Sequence, residues 1–449
     1  MRPIAIAAAL LLASPALLVA DEPPRAPTGT IAITQQRQAV VKSEQIMAEA
    51  LKREGLLAQY LHMREARAKD TDLAFRLIFN QYLAWFQTFV GDYAASRRTF
   101  SIAQPAEKGD SPPPGDGGYT ATPALPAIAA LARGRKAVFF NENHTIALTR
   151  TLTVQMLEAL RREGFDTFAA ETLYHDDSGL AKRGYPTDAT GFYTEEPIYA
   201  EMVRTALRLG YRVVAYEDES AAVGDERERN QARNLWRRAF GGHPEARLVV
   251  NAGFMHSQKA GRFFNGQAMA QHFRSVSGIE PLSIEQTVLI PHEDAADDHP
   301  AYRSIIASGA PQEPVVFRNA EGKLWSLRPA AFDASVAFPP TRFTRGRPTW
   351  ATLGSLRSPY PVSVDFCKDT LPCLVEARYS GEGDDAIPAD RFALDRDSEL
   401  LAGSRVRSAL DAPSFDLYLR PGVYRLTARD AGNRVIDRRT ATVRAPRNR

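Results

Sequence analysis

The sequence predicts an α/β protein: a mostly parallel sheet with flanking helices, preceded by an N-terminal helical region and followed by a small C-terminal β-sandwich. Three observations carry this. Between residues 124 and 290 short apolar runs alternate with helical patterns at βα spacing, which argues a parallel sheet with right-handed crossovers. Those runs are nearly unbroken in apolar residues, as strands covered on both faces are. From about residue 360 the pattern changes to strict alternation, the mark of half-buried antiparallel strands.

The bulk numbers fit that organisation. A chain of 449 residues with 44% apolar and 24% charged residues is an ordinary globular one with room for two or three domains. Its net charge of +3 is carried by scattered Arg with no dense basic run, so no nucleic-acid partner is expected.

Residues 1–20 combine an early Arg, an apolar stretch broken by Pro15 and a small residue before Asp21. They read as a secretory signal cleaved after Ala20, which gives a periplasmic or secreted protein. No Cys follows to support a lipoprotein anchor, and no later run is long and apolar enough for a membrane helix. Residues 21–30 read as a lead-in. From about 39 to 101 apolar residues such as Ile46, Leu57 and Leu61 recur at helical spacing, and Leu73 to Phe89 has the composition of a well-buried helix. His62 in this region is expected to be packed or at the surface. Residues 105–123, dense in Pro and Gly, read as a linker between the helical region (21–104) and the main domain.

Within 124–290 strands are expected at 136–141, 165–171, 211–217 and 247–252, with a fifth at 281–289. Helices are expected at 151–163, 198–209 and 226–240, the first two stopped by Gly164 and Gly210. The first strand ends at Glu142 and His144, the second at Glu171, and the third at Glu217 and Asp218. The fourth runs into Asn251 and His256. In a parallel sheet all of these reach the carboxyl edge, where ligands bind. Glu and His are not the preferred helix-capping residues, so solvation and capping explain such a series poorly. The insertion 174–196, with His175, Asp176, Asp177, Tyr185, Phe192 and Tyr193, is a candidate substrate lid or pocket wall. Asn143-His144-Thr145 fits a glycosylation acceptor, discounted because it falls at the crevice.

Residues 291–358 lose periodicity and are expected to wrap the domain irregularly. Beyond them, residues 359–449 are expected to form the sandwich, of immunoglobulin-like type, with separate short strands at 435–437 and 440–443. The two cysteines, Cys367 and Cys373, have no nearby His. In an exported chain a disulfide is the natural pairing.

The main domain resembles the superfamily of the erythromycin esterases, the haem-binding ChaN lipoproteins and the Tiki proteases. The resemblance spans about residues 124–290. It rests on Asn141-Glu142-Asn143-His144, where the family has Gly-Glu-x-His, and on Arg150 where the esterases carry an Arg. It rests also on Phe168-Ala-Ala-Glu171, on the helix Arg227-Glu228-Arg229-Asn230-Gln231-Ala232-Arg233-Asn234, and on Gly253-Phe254-Met255-His256. Asn141 and Gly253 depart from the esterase pattern; ChaN and Tiki sequences tend to have Gly at the latter position.

The strand-end series and the resemblance together point to a site built from Glu142, His144, Arg150, Glu171 and His256, with Arg227 and Asn234 of the helix motif and Tyr185 and Tyr193 of the insertion contacting the substrate. These residue types suit hydrolysis. His144, held by Glu142 or Glu171, is the expected general base. His256 and Arg150 are expected to stabilise the oxyanion. The absence of a Gly-x-Ser-x-Gly elbow favours activated water over a covalent Ser, acting on an ester, lactone or amide of a small molecule or peptide. Two alternatives follow from the same relatives: a divalent metal held among Glu142, His144, Glu171, Glu217 and His256 in a Tiki-like protease, or a haem- or ligand-binding protein of ChaN type.

Overall fold

The computed structural model describes residues 33–395 and 414–445. The expected signal and lead-in, residues 1–30, lie outside the described residues. The N-terminal helices are α1 (Ile33–Ala50), α2 (Leu56–Lys69), α3 (Leu73–Phe89) and α4 (Tyr93–Thr99). Asp72 caps α3 by accepting from the Phe75 amide at 2.7 Å. Every residue of α3 from Gln81 to Phe89 is buried, as expected of a helix that is apolar nearly all round. Trp85 of α3 meets Phe192 and Tyr193 edge-on. The N-terminal helices thus share one apolar core with the helices of the main sheet. His62 lies 3.5 Å from Glu49, outside any cluster.

The middle of the chain runs β1 (Thr120–Pro123), α5 (Ala124–Leu131), β2 (Ala137–Glu142), α6 (Leu148–Arg162), β3 (Thr167–Ala170), α7 (Leu180–Arg183), α8 (Pro197–Arg208), β4 (Arg212–Val214), α9 (Gly224–Phe240), β5 (Leu248–Gly253), α10 (Met269–Ser277), β6 (Leu282–Glu285), α11 (Pro300–Gly309), β7 (Val315–Arg318) and β8 (Ala334–Ser335). Six of these strands form one sheet in the order β4-β3-β5-β2-β6-β8, every neighbouring pair parallel. The register sets Glu142 of β2 opposite Gly253 of β5, and Ala170 of β3 opposite Asn251. The carboxyl ends of β2, β3 and β5 therefore stand side by side.

Two stretches are more ordered than their composition predicts. The Pro/Gly-rich stretch 105–123 ends in β1, which pairs antiparallel with β7. Its Asp110 accepts from His299 and from Arg328, each at 3.0 Å. The segment 291–358 supplies α11, β7 and the outermost sheet strand, β8. His299 caps α11 through Nδ1, which accepts from the Ala301 amide at 3.1 Å, and Pro300 opens the helix. A short helix behind a His-Pro pair and a two-residue strand leave too little periodicity to be recognised.

The C-terminal part consists of β9 (Phe343–Thr344) and β10 (Arg347–Pro348), then β11 (Ser358–Ser363), β12 (Cys373–Tyr379), β13 (Asp390–Leu394), β14 (Ser414–Leu419), β15 (Gly422–Asp430) and β16 (Val435–Val443). Antiparallel sheets β11-β14 and β13-β12-β15-β16 close over a core that includes Phe366, Val375, Leu417 and Leu426. Cys367 and Cys373 form the expected disulfide. The two short strands expected at 435–437 and 440–443 are one continuous strand paired with β15. Strand β13 was not expected, because it begins with Asp390 and Arg391. Asp390 is buried against the guanidinium of Arg347 at 2.7 and 2.8 Å, so a charged pair takes interior positions that an apolar pattern would have marked. The sandwich joins the main domain through a similar group, in which Glu201 of α8 meets Arg208, Arg357 and Arg420.

Candidate functional site

Asn143 reverses the chain after β2. Its Oδ1 accepts from both the amide and the hydroxyl of Thr145 at 3.0 Å, an Asx-type turn. This bends His144 back beside Glu142, and Nδ1 of His144 lies 2.8 Å from Glu142 Oε1. A carboxylate only accepts, so Nδ1 carries the proton and Nε2 presents its lone pair. Asn143 is 3% exposed and occupied in that turn, which removes it as a glycosylation acceptor. The His144 ring stacks on Tyr193 with centroids 4.3 Å apart and meets Phe254 edge-on at 5.1 Å.

Arg150, in the first turn of α6, donates Nε to Glu142 Oε2 at 2.5 Å, Nη1 to Glu196 Oε2 at 2.9 Å and Nη2 to the His144 carbonyl at 3.0 Å. Both it and Glu142 are fully buried. Burial would raise the Glu142 carboxyl, but the charges of Arg150 and His144 outweigh it and hold the group at about 2.

Glu171 follows β3. Its Oε2 accepts from the Gly253 amide at 2.5 Å, while Oε1 is buried without a hydrogen bond, 3.8 Å from His256 Nε2 and 3.7 Å from Arg227. Arg227 also meets Glu217 at 3.1 Å and Glu228 at 3.6 Å. Glu217 is fixed by the Thr172 amide at 2.7 Å and by Gln231 at 2.8 Å. Asn234 donates to the carbonyls of Tyr216 and Glu217 and so holds the end of β4.

His256 repeats the arrangement of His144. Its Nδ1 lies 2.7 Å from Glu228 Oε2, which also accepts from the Met269 amide at 2.9 Å. Burial lowers the proton affinity of this imidazole, but the carboxylates Glu228 and Glu171 more than restore it, and its pKa is raised. Phe263 stands edge-on to the ring at 4.9 Å.

The two imidazole–carboxylate pairs thus flank Glu171. The Nε2 atoms of His144 and His256 and the hydroxyls of Tyr193 and Tyr216 are buried with no hydrogen-bond partner. Burial, reinforced by the charge of Glu171, pushes both tyrosine hydroxyls well above their usual range, so they remain protonated donors. Thr172, next to Glu171, and Phe254, directly after β5, have φ of 61° and 42°. Left-handed backbone costs a non-Gly residue about 1–3 kcal/mol and tends to persist at functional sites.

Of the expected site residues, the fold brings together Glu142, His144, Arg150, Glu171, Glu217, Arg227, His256 and Tyr193, with Asn234 behind them. It does not bring Tyr185, whose hydroxyl accepts from the Gly383 amide at 3.1 Å and lies 3.4 Å from Asp385. Within the insertion 174–196, Asp177 pairs with Arg183 at 2.7 Å, and isolated bridges tie Leu173 to Gly191 and Thr187 to Ala386, so the segment packs as a wall beside the site. Glu196 and Glu228 were not anticipated as site residues. Glu228 lay inside the helix motif, and Glu196 stood before Pro197, a helix-start signal that hides its second role.

The side chains as placed do not fit a metal ion: among the described residues no three His, Cys, Asp or Glu side chains form a ligand group. Nδ1 of each imidazole is held by a carboxylate, which leaves only Nε2 able to ligate, and Glu142 is committed to Arg150. Haem fits no better. Both imidazoles are 1% exposed, and neither turns an open face to a macrocycle.

The chain matches no protein-family model and no curated protein. Among solved structures it has shallow similarity to the type III effector HopBA1, with 14% identity over 40% of this chain and 93% of that one and a TM-score of 0.28. A bacterial protein toxin shares 15% identity over 62% of this chain and 71% of its own, with a TM-score of 0.28. RRSP, a MARTX toxin effector domain from Vibrio vulnificus CMCP6, shares 15% over 48% and 50%, with a TM-score of 0.23. Similarities of this depth leave the chemistry to be argued from the site.

Proposed function

We propose that this chain is an exported hydrolase that activates water against an ester, lactone or amide. One observation carries the reading: two buried imidazoles, each held at Nδ1 by its own glutamate, leave both Nε2 atoms unpartnered beside Glu171. Buried polar atoms without partners are rare, and each such atom needs an explanation. Here two proton-transfer groups lie near the same buried glutamate.

The roles follow from the environments. His144, held at Nδ1 by Glu142 and with Nε2 unpartnered, takes a proton from water at Nε2 as the oxygen attacks the carbonyl carbon. Glu142 stabilises the imidazolium that forms. His256, whose proton is favoured by Glu228 and Glu171, donates toward the oxyanion and then to the leaving group. Two imidazoles in different surroundings can let one site supply both acid and base. The tyrosine hydroxyls of Tyr193 and Tyr216 are further donors, and Arg227 balances the central carboxylates. Low exposure strengthens each of these interactions.

The test is turnover of neutral aryl esters, lactones and amides by the purified protein, with His144→Ala and His256→Ala beside it. Both variants should lose the same activity while keeping a cooperative melting transition. Full turnover in either would remove its assigned role.

A further inference from the structure

Three contacts run from the N-terminal helices to His144. Tyr93 of α4 donates its hydroxyl to Glu196 Oε1 at 2.6 Å, and Glu196 Oε2 receives Arg150 at 2.9 Å. Arg150 in turn holds Glu142, which orients the imidazole. Ser96, also on α4, donates to the carbonyl of Thr145 at 2.8 Å, directly after His144. Trp85 of α3 packs at 6.1 Å on the same Tyr193 ring that stacks on His144.

The first of these is the most informative. Arg150 is gripped from two sides, Nε by Glu142 and Nη1 by Glu196. Removing Glu196 would leave the guanidinium held by Glu142 and one backbone carbonyl. Its placement, and that of Glu142, would then be less constrained. Glu196 is itself fixed at 0% exposure, because its carboxylate caps α8 at the amides of Ile198 and Tyr199, both at 2.8 Å. Tyr93 completes its shell. Burial and the neighbouring Glu196 charge keep the Tyr93 hydroxyl protonated and therefore a donor.

We infer that Tyr93 and Glu196 are positioning residues for His144, acting through Arg150 and Glu142, and that the N-terminal helices are thereby part of the catalytic unit. The inference rests on the proposed hydrolase reading for its consequence in turnover, but not for its geometry.

The experiment follows the His144 Nδ1 proton by NMR, assigned by its loss in His144→Gln, in Tyr93→Phe and Glu196→Gln. Glu201→Gln is the comparison, since Glu201 is an equally buried glutamate of α8 whose arginine partners Arg208, Arg357 and Arg420 make no hydrogen bond to Tyr93, Glu196 or Arg150. A resonance that moves or exchanges faster in Tyr93→Phe and Glu196→Gln, and stays put in Glu201→Gln, supports the inference. If it stays put in all three, or moves as much in Glu201→Gln, the network is only structural and the inference fails. Tyr93→Phe keeps the ring, so it decides the matter alone if Glu196→Gln does not fold. Where turnover is found, kcat should drop about 10-fold in Tyr93→Phe and about 10²-fold in Glu196→Gln, with KM changed by less than about twofold. Wild-type protein inactive on every substrate would end the hydrolase reading, while the resonance would still decide the positioning.

Discussion

A Cβ at residue 253 would stand 2.2 Å from Cε1 and 2.4 Å from Nε2 of His144, and 2.9 Å from Glu171 Oε2. Gly253 has φ of −69°, an ordinary value, so space and not backbone conformation demands glycine here. The esterase-type His at this position could not stand beside His144 as it is placed. Gly253→Ala should therefore push the imidazole aside. Shifts of about 1 Å cost about 10²-fold in rate. Turnover and the His144 ring resonances, measured together, check this; unchanged kcat would show that the ring has room to yield.

Glu228 should matter as much as the residues the motifs single out. In Glu228→Gln, Nδ1 of His256 loses its carboxylate, and the imidazole pKa should fall toward or below its ordinary value. Activity should fall by at least about 10²-fold, as when the orienting carboxylate of a catalytic His is neutralised. An NMR titration of His256 beside the pH–rate profile tests both. A pKa that does not fall would contradict the assigned pairing.

Stability should decline from both ends of the pH range. The Glu142 carboxyl, at about 2 when folded against an ordinary 4.5, stabilises the fold fully above 4.5, and that contribution is lost as pH falls toward 2. It amounts to on the order of 3 kcal/mol. His256 has a raised pKa, so its contribution is full below the ordinary 6.5 and is lost as pH rises through the folded value. Denaturant midpoints across pH should show both steps in the wild type. Glu142→Gln should show a smaller acid step, the remainder coming from other depressed carboxylates such as Glu201 and Glu376, and His256→Gln a smaller alkaline one.

The two tyrosines of the insertion should part company. Tyr193 stacks on His144, so Tyr193→Ala should remove activity along with a buried aromatic that stabilises the fold by about 3–5 kcal/mol. The Tyr185 hydroxyl meets the C-terminal sandwich and its ring lies under Arg183, so Tyr185→Phe should keep kcat and KM within about twofold. Steady-state kinetics on the pair checks both outcomes.

The disulfide between Cys367 and Cys373 closes a loop of separation 6 in the sandwich core, away from the cluster. Such a loop gives about 2 kcal/mol on chain-entropy grounds. The double Cys→Ala variant should lose about that much in denaturant stability and no activity.

Much of the fold was legible because burial on both faces leaves a plain trace. Runs such as Val138 to Phe140 and Leu248 to Val250 are apolar without interruption. The break from them into Glu142 and Glu171 marked the sheet edge where the site lies. Elements such as β13 were hidden because paired charges, Asp390 with Arg347, occupy interior positions.

By itself the sequence determined the strands β2 to β6 of the main sheet, that they run parallel, and that Glu142, His144, Glu171, Glu217 and His256 reach one edge. The tertiary structure alone decided the partners: Glu142 and not Glu171 for His144, Glu228 for His256, Glu196 for Arg150, and Tyr193 but not Tyr185 at the site. The reason is physical. Strand and helix periodicity is set by neighbours a few residues apart, whereas a hydrogen bond between Tyr93 and Glu196, 103 residues apart, depends on how helices from two regions pack over the sheet.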